Sequence, residues 1–182
     1  MELLEHLYRT FNENASRNFL CDDEEYYTYS QLLESIGKIR HYIRANIPEK
    51  QITVGLLAGT DLNTYATIFA LWFEGKAYVP LLPTAPEDRN QAVIKEAKLT
   101  HVLSSRKFLQ DLNANVVNTS MLGDVAIHEG PRFEEKSRIA YILFTSGTTG
   151  VPKGVQITIG NLTAFIDAMI ALDHEIFNTD HV

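Results

Sequence analysis

The sequence predicts an α/β fold, a mostly parallel sheet flanked by helices, and three observations predict it. Residues 52–58 form a continuous apolar run of strand length. A helix over 62–74, closed by Gly75, separates that run from a second strand over 77–82. The alternation then continues to residue 117. Strand, helix, strand in that order closes as a parallel, helix-covered unit.

Each element has a local reason. Leu3, Leu4, Leu7, Tyr8 and Phe11 recur at helical spacing, which predicts an amphipathic helix over 2–14. Phe19, Leu20 and Cys21 make a short strand, and the acidic tip 22–25 turns the chain back into Tyr26 and Tyr27. Thr28 and Gln31 have the spacing of a capping box. The stripe Leu32, Leu33, Ile36, Ile39 and Ile43 carries that helix to about Ala45. Pro80 and Pro83 suit a strand exit, and Pro86 suits the first turn of a helix over 86–98. A strand over 101–105, a short helix over 106–112 and a strand at Val116 and Val117 follow. His101, at a strand start, reads as a structural histidine. Residues 120–137 read as a connector, 139–144 as a buried strand and 155–159 as another. Asn161 is placed to cap a last helix whose stripe is Leu162, Phe165, Ile166, Met169 and Leu172.

Composition narrows the function classes. The chain has 182 residues, 45 % of them apolar, enough for one domain or a large part of one. Sixteen Lys and Arg against 23 Asp and Glu leave a formal charge of −7, which argues against nucleic acid and anionic membranes as partners. Cys21 is the only cysteine, so no intramolecular disulfide and no cysteine zinc cluster can form; it reads as a small buried hydrophobe. The first residues lack the basic and apolar regions of a secretory signal, and no stretch reaches the roughly 18 apolar residues of a membrane span. A cytoplasmic protein is the expectation.

The chemistry concentrates between the strand over 139–144 and the one over 155–159. Thr145, Ser146, Thr148 and Thr149 supply four hydroxyls, and Gly147, Gly150 and Gly154 permit close backbone approach. Lys153 adds one positive charge, and successive amides in such a turn can form a concave anion site. The Walker A and dinucleotide spacings are both absent. On residue chemistry alone, two readings stand: an anion-binding turn between two strands, or a solvated Thr/Gly-rich hairpin loop.

Residues 141–155, Tyr-Ile-Leu-Phe-Thr-Ser-Gly-Thr-Thr-Gly-Val-Pro-Lys-Gly-Val, resemble the phosphate-binding signature of the adenylate-forming (AMP-binding) superfamily. That superfamily includes acyl-CoA synthetases and peptide-synthetase adenylation domains. A second stretch, residues 75–89, resembles a motif most typical of the amino-acid-adenylating branch, with Leu82 in place of the usual Asp; it reads as structural. A third, Thr28-Tyr29-Ser30-Gln31-Leu32, resembles the first core motif, with Gln31 for Glu. Ile159 stands where relatives often carry a His that shapes the acyl pocket.

The resemblance implies an ATP-dependent ligase that joins a carboxylic or amino acid to AMP and passes the acyl group to a thiol, either CoA or a carrier-protein phosphopantetheine. It implies ATP and Mg²⁺ as cofactors. Thr145, Ser146, Gly147, Thr148 and Thr149 would wrap the β- and γ-phosphates, Gly150 would shape the turn, and Lys153 would offset phosphate charge. The Mg²⁺ ligand and the catalytic lysine of such enzymes lie later than any residue here, so no catalytic or metal residue is assigned. Residues 1–182 read as the N-terminal portion of an AMP-binding domain, inactive alone and prone to self-association through an uncovered apolar face. The alternatives are a stand-alone, non-catalytic nucleotide- or partner-binding module, and a structural α/β domain with an incidental loop.

Overall fold

In the computed structural model, residues 2–133, 135–145 and 152–172 are described. The chain runs α1 (Leu3–Glu13), β1 (Asn18–Asp22), β2 (Glu25–Thr28), α2 (Tyr29–Asn46), β3 (Thr53–Leu57), α3 (Leu62–Phe73), β4 (Ala77–Leu81) and α4 (Glu87–Glu96). Then come β5 (His101–Ser104), β6 (Asn115–Asn118), β7 (Ile139–Thr145), β8 (Lys153–Thr158) and α5 (Ile159–Leu172). Six strands form one sheet in the order β6-β5-β3-β4-β7-β8, while β1 and β2 form a separate hairpin. All neighbours in the large sheet are parallel except β7 and β8.

Two cores lie on the two faces. Leu32, Ile36, Ile39, Ala70, Leu71 and Phe73, from α2 and α3, pack with Val54 and Leu103 on one face. On the other, Val93 and Ile94 of α4 pack with Leu57, Val79, Leu81 and Val102. Alternation along each strand divides its side chains between the two. In β7 a register irregularity between Ile139 and Tyr141 turns both Ala140 and Tyr141 toward the first core. Ile142 and Phe144 then point into the second.

The Thr28 capping box forms: the Gln31 amide donates to Thr28 Oγ1 at 3.3 Å and the Thr28 amide to Gln31 Oε1 at 2.7 Å. Gly75 has φ +67° where the chain leaves α3, a conformation that favours glycine. Inside the first core, Arg40 is fully buried and donates to Glu74 Oε1 at 2.7 Å and to the backbone carbonyls of Glu129 and Gly130. This ties the connector before β7 to α2.

Four expectations are corrected. Residues 106–112 are not helical: Ser104 Oγ accepts from the Arg106 amide at 3.3 Å and donates to its carbonyl at 2.7 Å, a side-chain turn in place of a helical one. Leu109 is 85 % exposed, so no apolar face drives a helix there. The helix expected over 86–98 ends at Glu96, before Lys98 at φ +52°. Cys21 is exposed, because it sits opposite exposed Tyr26 on the outer face of the β1–β2 hairpin. Asn161 does not begin α5; it is the partner in a reciprocal cap, its amide donating to Thr158 Oγ1 at 3.1 Å and its Oδ1 accepting from the Thr158 amide at 2.9 Å.

Candidate functional site

β4 and β7 bring two of the sequence motifs together. Tyr78, in the 75–89 stretch, is in register with Tyr141, which opens the 141–155 stretch. Their rings stack with centroids 5.4 Å apart and planes 29° apart. Burial, and secondarily the neighbouring Tyr141, pushes the Tyr78 phenol up to about 12. Trp72 Nε1 donates to the Ala140 carbonyl at 2.9 Å and holds the start of β7 against α3.

At its far end, β7 is tied to β8. Thr145 pairs with Lys153 in antiparallel register, and Thr145 Oγ1 donates to the Lys153 carbonyl at 3.4 Å. The first hydroxyl of the predicted site and its one lysine therefore share the last rung of the ladder, and both are exposed. Gly154 is not part of a turn. It lies within β8 opposite Phe144, and a Cβ there would meet Ile142 Cγ2 at 2.8 Å and the Phe144 ring at 3.1 Å. Its missing side chain permits the close packing of the two strands. Ser146, Gly147, Thr148, Thr149 and Gly150 lie outside the described residues.

Thr145, Phe144 and Pro152 line a cavity of about 260 Å³ together with Asp88, Arg89, Ala92 and Val93 of α4. The position of α4 follows from its start. Buried Asn90 donates from Nδ2 to the Leu82 carbonyl at 2.9 Å, and the Arg89 amide donates to the Pro86 carbonyl at 3.1 Å. The 75–89 stretch, expected to be structural, thus delivers its last two residues to the wall beside Thr145. Reading the sequence for phosphate chemistry missed Asp88 and Arg89. The available signal was topological: both follow the carboxyl end of a parallel strand, the end where open α/β sheets place ligands.

The arrangement joins a hydroxyl, a lysine and an arginine at one end of the sheet, a donor set suited to an anion. Among the described residues, no group of three or more His, Cys, Asp or Glu could hold a metal ion. No helix among them is long and apolar enough to cross a membrane.

The AMP-binding enzyme family model matches residues 7–182. The chain is 27 % identical over 178 residues to the D-alanine--D-alanyl carrier protein ligase of Lactococcus lactis, covering 93 % of this chain and 35 % of that protein. It is 30 % identical over 169 residues to a polypeptide of the mycosubtilin synthase of Bacillus subtilis, covering 88 % of this chain and 6 % of that protein. It therefore spans about a third of the first relative and a small part of the second. Among solved structures, a four-domain nonribosomal peptide synthetase bound to AMP and glycine superposes with a TM-score of 0.77 at 27 % identity, covering 92 % of this chain and 13 % of that one. A fatty acyl-adenylate ligase from L. pneumophila, in complex with acyl adenylate and pyrophosphate, gives 0.77 at 23 % identity, covering 94 % of this chain and 33 % of that one, a likeness of fold. A family match over nearly the whole chain, carried on a parallel sheet with the signature at the carboxyl end of β7, establishes that this chain belongs to the AMP-binding enzyme family.

Proposed function

We propose that residues 1–182 are the N-terminal portion of the large domain of an ATP-dependent, carboxylate-activating ligase, and that their part in it is to hold the polyphosphate of ATP. The observation that carries this reading is the Thr145–Lys153 rung at the carboxyl end of β7, inside a stretch that matches the family's phosphate signature. Thr145 and Lys153, with Ser146, Gly147, Thr148, Thr149 and Gly150, bind the β- and γ-phosphates. Hydroxyls and amides donate to the phosphate oxygens, and the lysine offsets their charge.

In the reaction, a carboxylate oxygen of an amino or carboxylic acid attacks the α-phosphorus. The bond to the bridging oxygen breaks, and pyrophosphate leaves with that electron pair. The product is an acyl-adenylate. A thiol then attacks the acyl carbon and AMP departs. Names of relatives favour an amino acid as the acid and a carrier-protein phosphopantetheine as the thiol, with CoA the other acceptor. Fixed donors that favour the charge of the departing pyrophosphate lower the barrier to the first step. Mg²⁺, when bound, would supply charge neutralisation to the phosphates. Among the described cavity residues Asp88 offers the one carboxylate, too few oxygen donors to hold that ion alone.

The test is protection of the chain by ATP against limited proteolysis near residues 145–153. Protection that weakens in Lys153→Ala supports the phosphate role. Equal protection in both proteins, or none in either, removes it. The 182-residue chain is expected to bind ATP without catalysing carboxylate-dependent ATP–pyrophosphate exchange; exchange by the purified chain would refute the division of labour proposed here.

A further inference from the structure

We infer that Arg89 is a second cationic contact for the polyphosphate held beside Thr145, so that the 75–89 stretch serves binding as well as structure. The inference rests on the phosphate reading of the β7–β8 site and adds a residue to it.

Three observations carry it. Arg89 and Thr145 line one cavity of about 260 Å³, large enough for a phosphate group. Among the described residues, the Arg89 guanidinium has no hydrogen-bond acceptor and no carboxylate within ion-pair distance. Its neighbour Asp88 does not neutralise it: Asp88 Oδ1 accepts from the Arg89 backbone amide at 2.8 Å, and no ion pair joins the two side chains. The other arginines nearest the sheet are spoken for. Arg40, Arg44 and Arg132 converge on Glu74, and Arg138 contacts Glu135 and the Gly75 carbonyl, at the opposite, amino end of the strands, while Arg106, just past β5 at the carboxyl end, lies 3.9 Å from Asp61. An uncommitted guanidinium at the carboxyl end, in the cavity that Thr145 also lines, presents a planar fork of donors matched to phosphate oxygens.

Its place on α4 is rigid. The Asn90–Leu82 bond and the packing of Val93 and Ile94 in the second core hold the helix, so the guanidinium is presented from a fixed base. Asp88 shares the cavity wall and opposes an anion there, so removing its charge and removing that of Arg89 act in opposite directions.

The test is titration of the wild-type chain and of Arg89→Ala, Arg89→Lys, Asp88→Asn and Lys153→Ala with ATP, pyrophosphate and AMP, by calorimetry, with circular dichroism as the folding control. Arg89→Ala is expected to weaken ATP and pyrophosphate about tenfold or more and to leave AMP unchanged. Arg89→Lys restores part of the loss, and Asp88→Asn binds pyrophosphate at least as tightly as wild type. If wild type binds neither ATP nor pyrophosphate, the phosphate reading fails and this inference with it. If wild type binds and Lys153→Ala is weakened while Arg89→Ala is not, the inference alone is overturned. An equal loss of AMP and pyrophosphate in Arg89→Ala also overturns it, since that is the mark of a structural role. Should Arg89→Ala fail to fold, the Lys variant and Asp88→Asn decide: unchanged pyrophosphate affinity in the first with weaker affinity in the second refutes it.

Discussion

Thr145 and Lys153 are eight positions apart in the chain and directly opposite in the sheet, with the threonine hydroxyl on the lysine carbonyl at 3.4 Å. Antiparallel pairing places such partners about 5 Å apart at Cα, so one phosphate group is within reach of both. The lysine side chain is exposed and takes no carboxylate among the described residues. Lys153→Ala is therefore expected to fold normally and to weaken ATP by roughly 10- to 100-fold, the range of a charge-assisted hydrogen bond of about 1.5–3 kcal/mol. Calorimetric titration checks it, and unchanged affinity would remove Lys153 from the site.

Gly75 tests the backbone at the exit from α3. Its φ is +67°, and a Cβ there would meet Arg138 Nη1 and Phe133 Cδ2 at 2.5 Å. Gly75→Ala should cost about 2–4 kcal/mol, from a left-handed residue and an overpacked contact together. Urea unfolding measures the loss; a cost below about 0.5 kcal/mol would mean that this turn relaxes freely.

Glu74 carries the buried ionic centre. Its side chain is 1 % exposed and contacts Arg40 at 2.7 Å, Arg44 at 2.9 Å and Arg132 at 3.6 Å. Removing the carboxylate strands the Arg40 charge in the core, where its stacking over Phe73 does not replace a counter-ion. Glu74→Ala is expected to destabilise the chain by roughly 3–5 kcal/mol, more than Glu49→Ala, whose carboxylate is 80 % exposed. Equal losses in the two variants would contradict a centre organised on Glu74.

Tyr78 predicts an alkaline limit. Its phenol is pushed up to about 12 in the folded chain, chiefly by burial, against about 10 when unfolded. Below pH 10 both states hold the proton, and the stabilisation is fully present. As pH rises from 10 toward 12, the unfolded state ionises first and stability falls. For a partly exposed group the loss is on the order of 1 kcal/mol. Tyr78→Phe should flatten that part of the stability–pH curve. A decline of equal size in the variant would assign it to other groups.

The surface predicts association. Leu143 and Val155 face each other across β7 and β8 and are 44 % and 51 % exposed, and Phe165 of α5 is 64 % exposed. β8 has one strand neighbour among the described residues, leaving an open edge. Light scattering of the 182-residue chain should show self-association that Val155→Lys with Phe165→Glu reduces. A clean monomer at high concentration would count against it.

Strands and helices driven by local pattern were legible in the sequence. The Thr28–Gln31 cap, the stripe of α2 and the apolar runs of β3, β4 and β7 arise from residues adjacent in the chain, whose periodicity survives folding. The short helix expected over 106–112 failed because Ser104 offered its hydroxyl to the backbone, a competition that periodicity does not register. Cys21 was misplaced because burial depends on which face of a two-stranded hairpin meets the core.

What the sequence by itself determined was the family and the fold class, because these reside in contiguous motifs and local periodicity. Only the tertiary structure decided what those motifs meet. Tyr78 stacks on Tyr141, Thr145 closes on Lys153, Gly154 yields its side-chain space to Phe144, and Arg89 and Thr145 line one cavity. Thr145–Lys153 and Gly154–Phe144 join the two strands of one hairpin, whereas Tyr78–Tyr141 and Arg89–Thr145 join positions far apart in the chain. The latter pair of contacts depends on the order in which strands are laid side by side, which no local window of sequence contains.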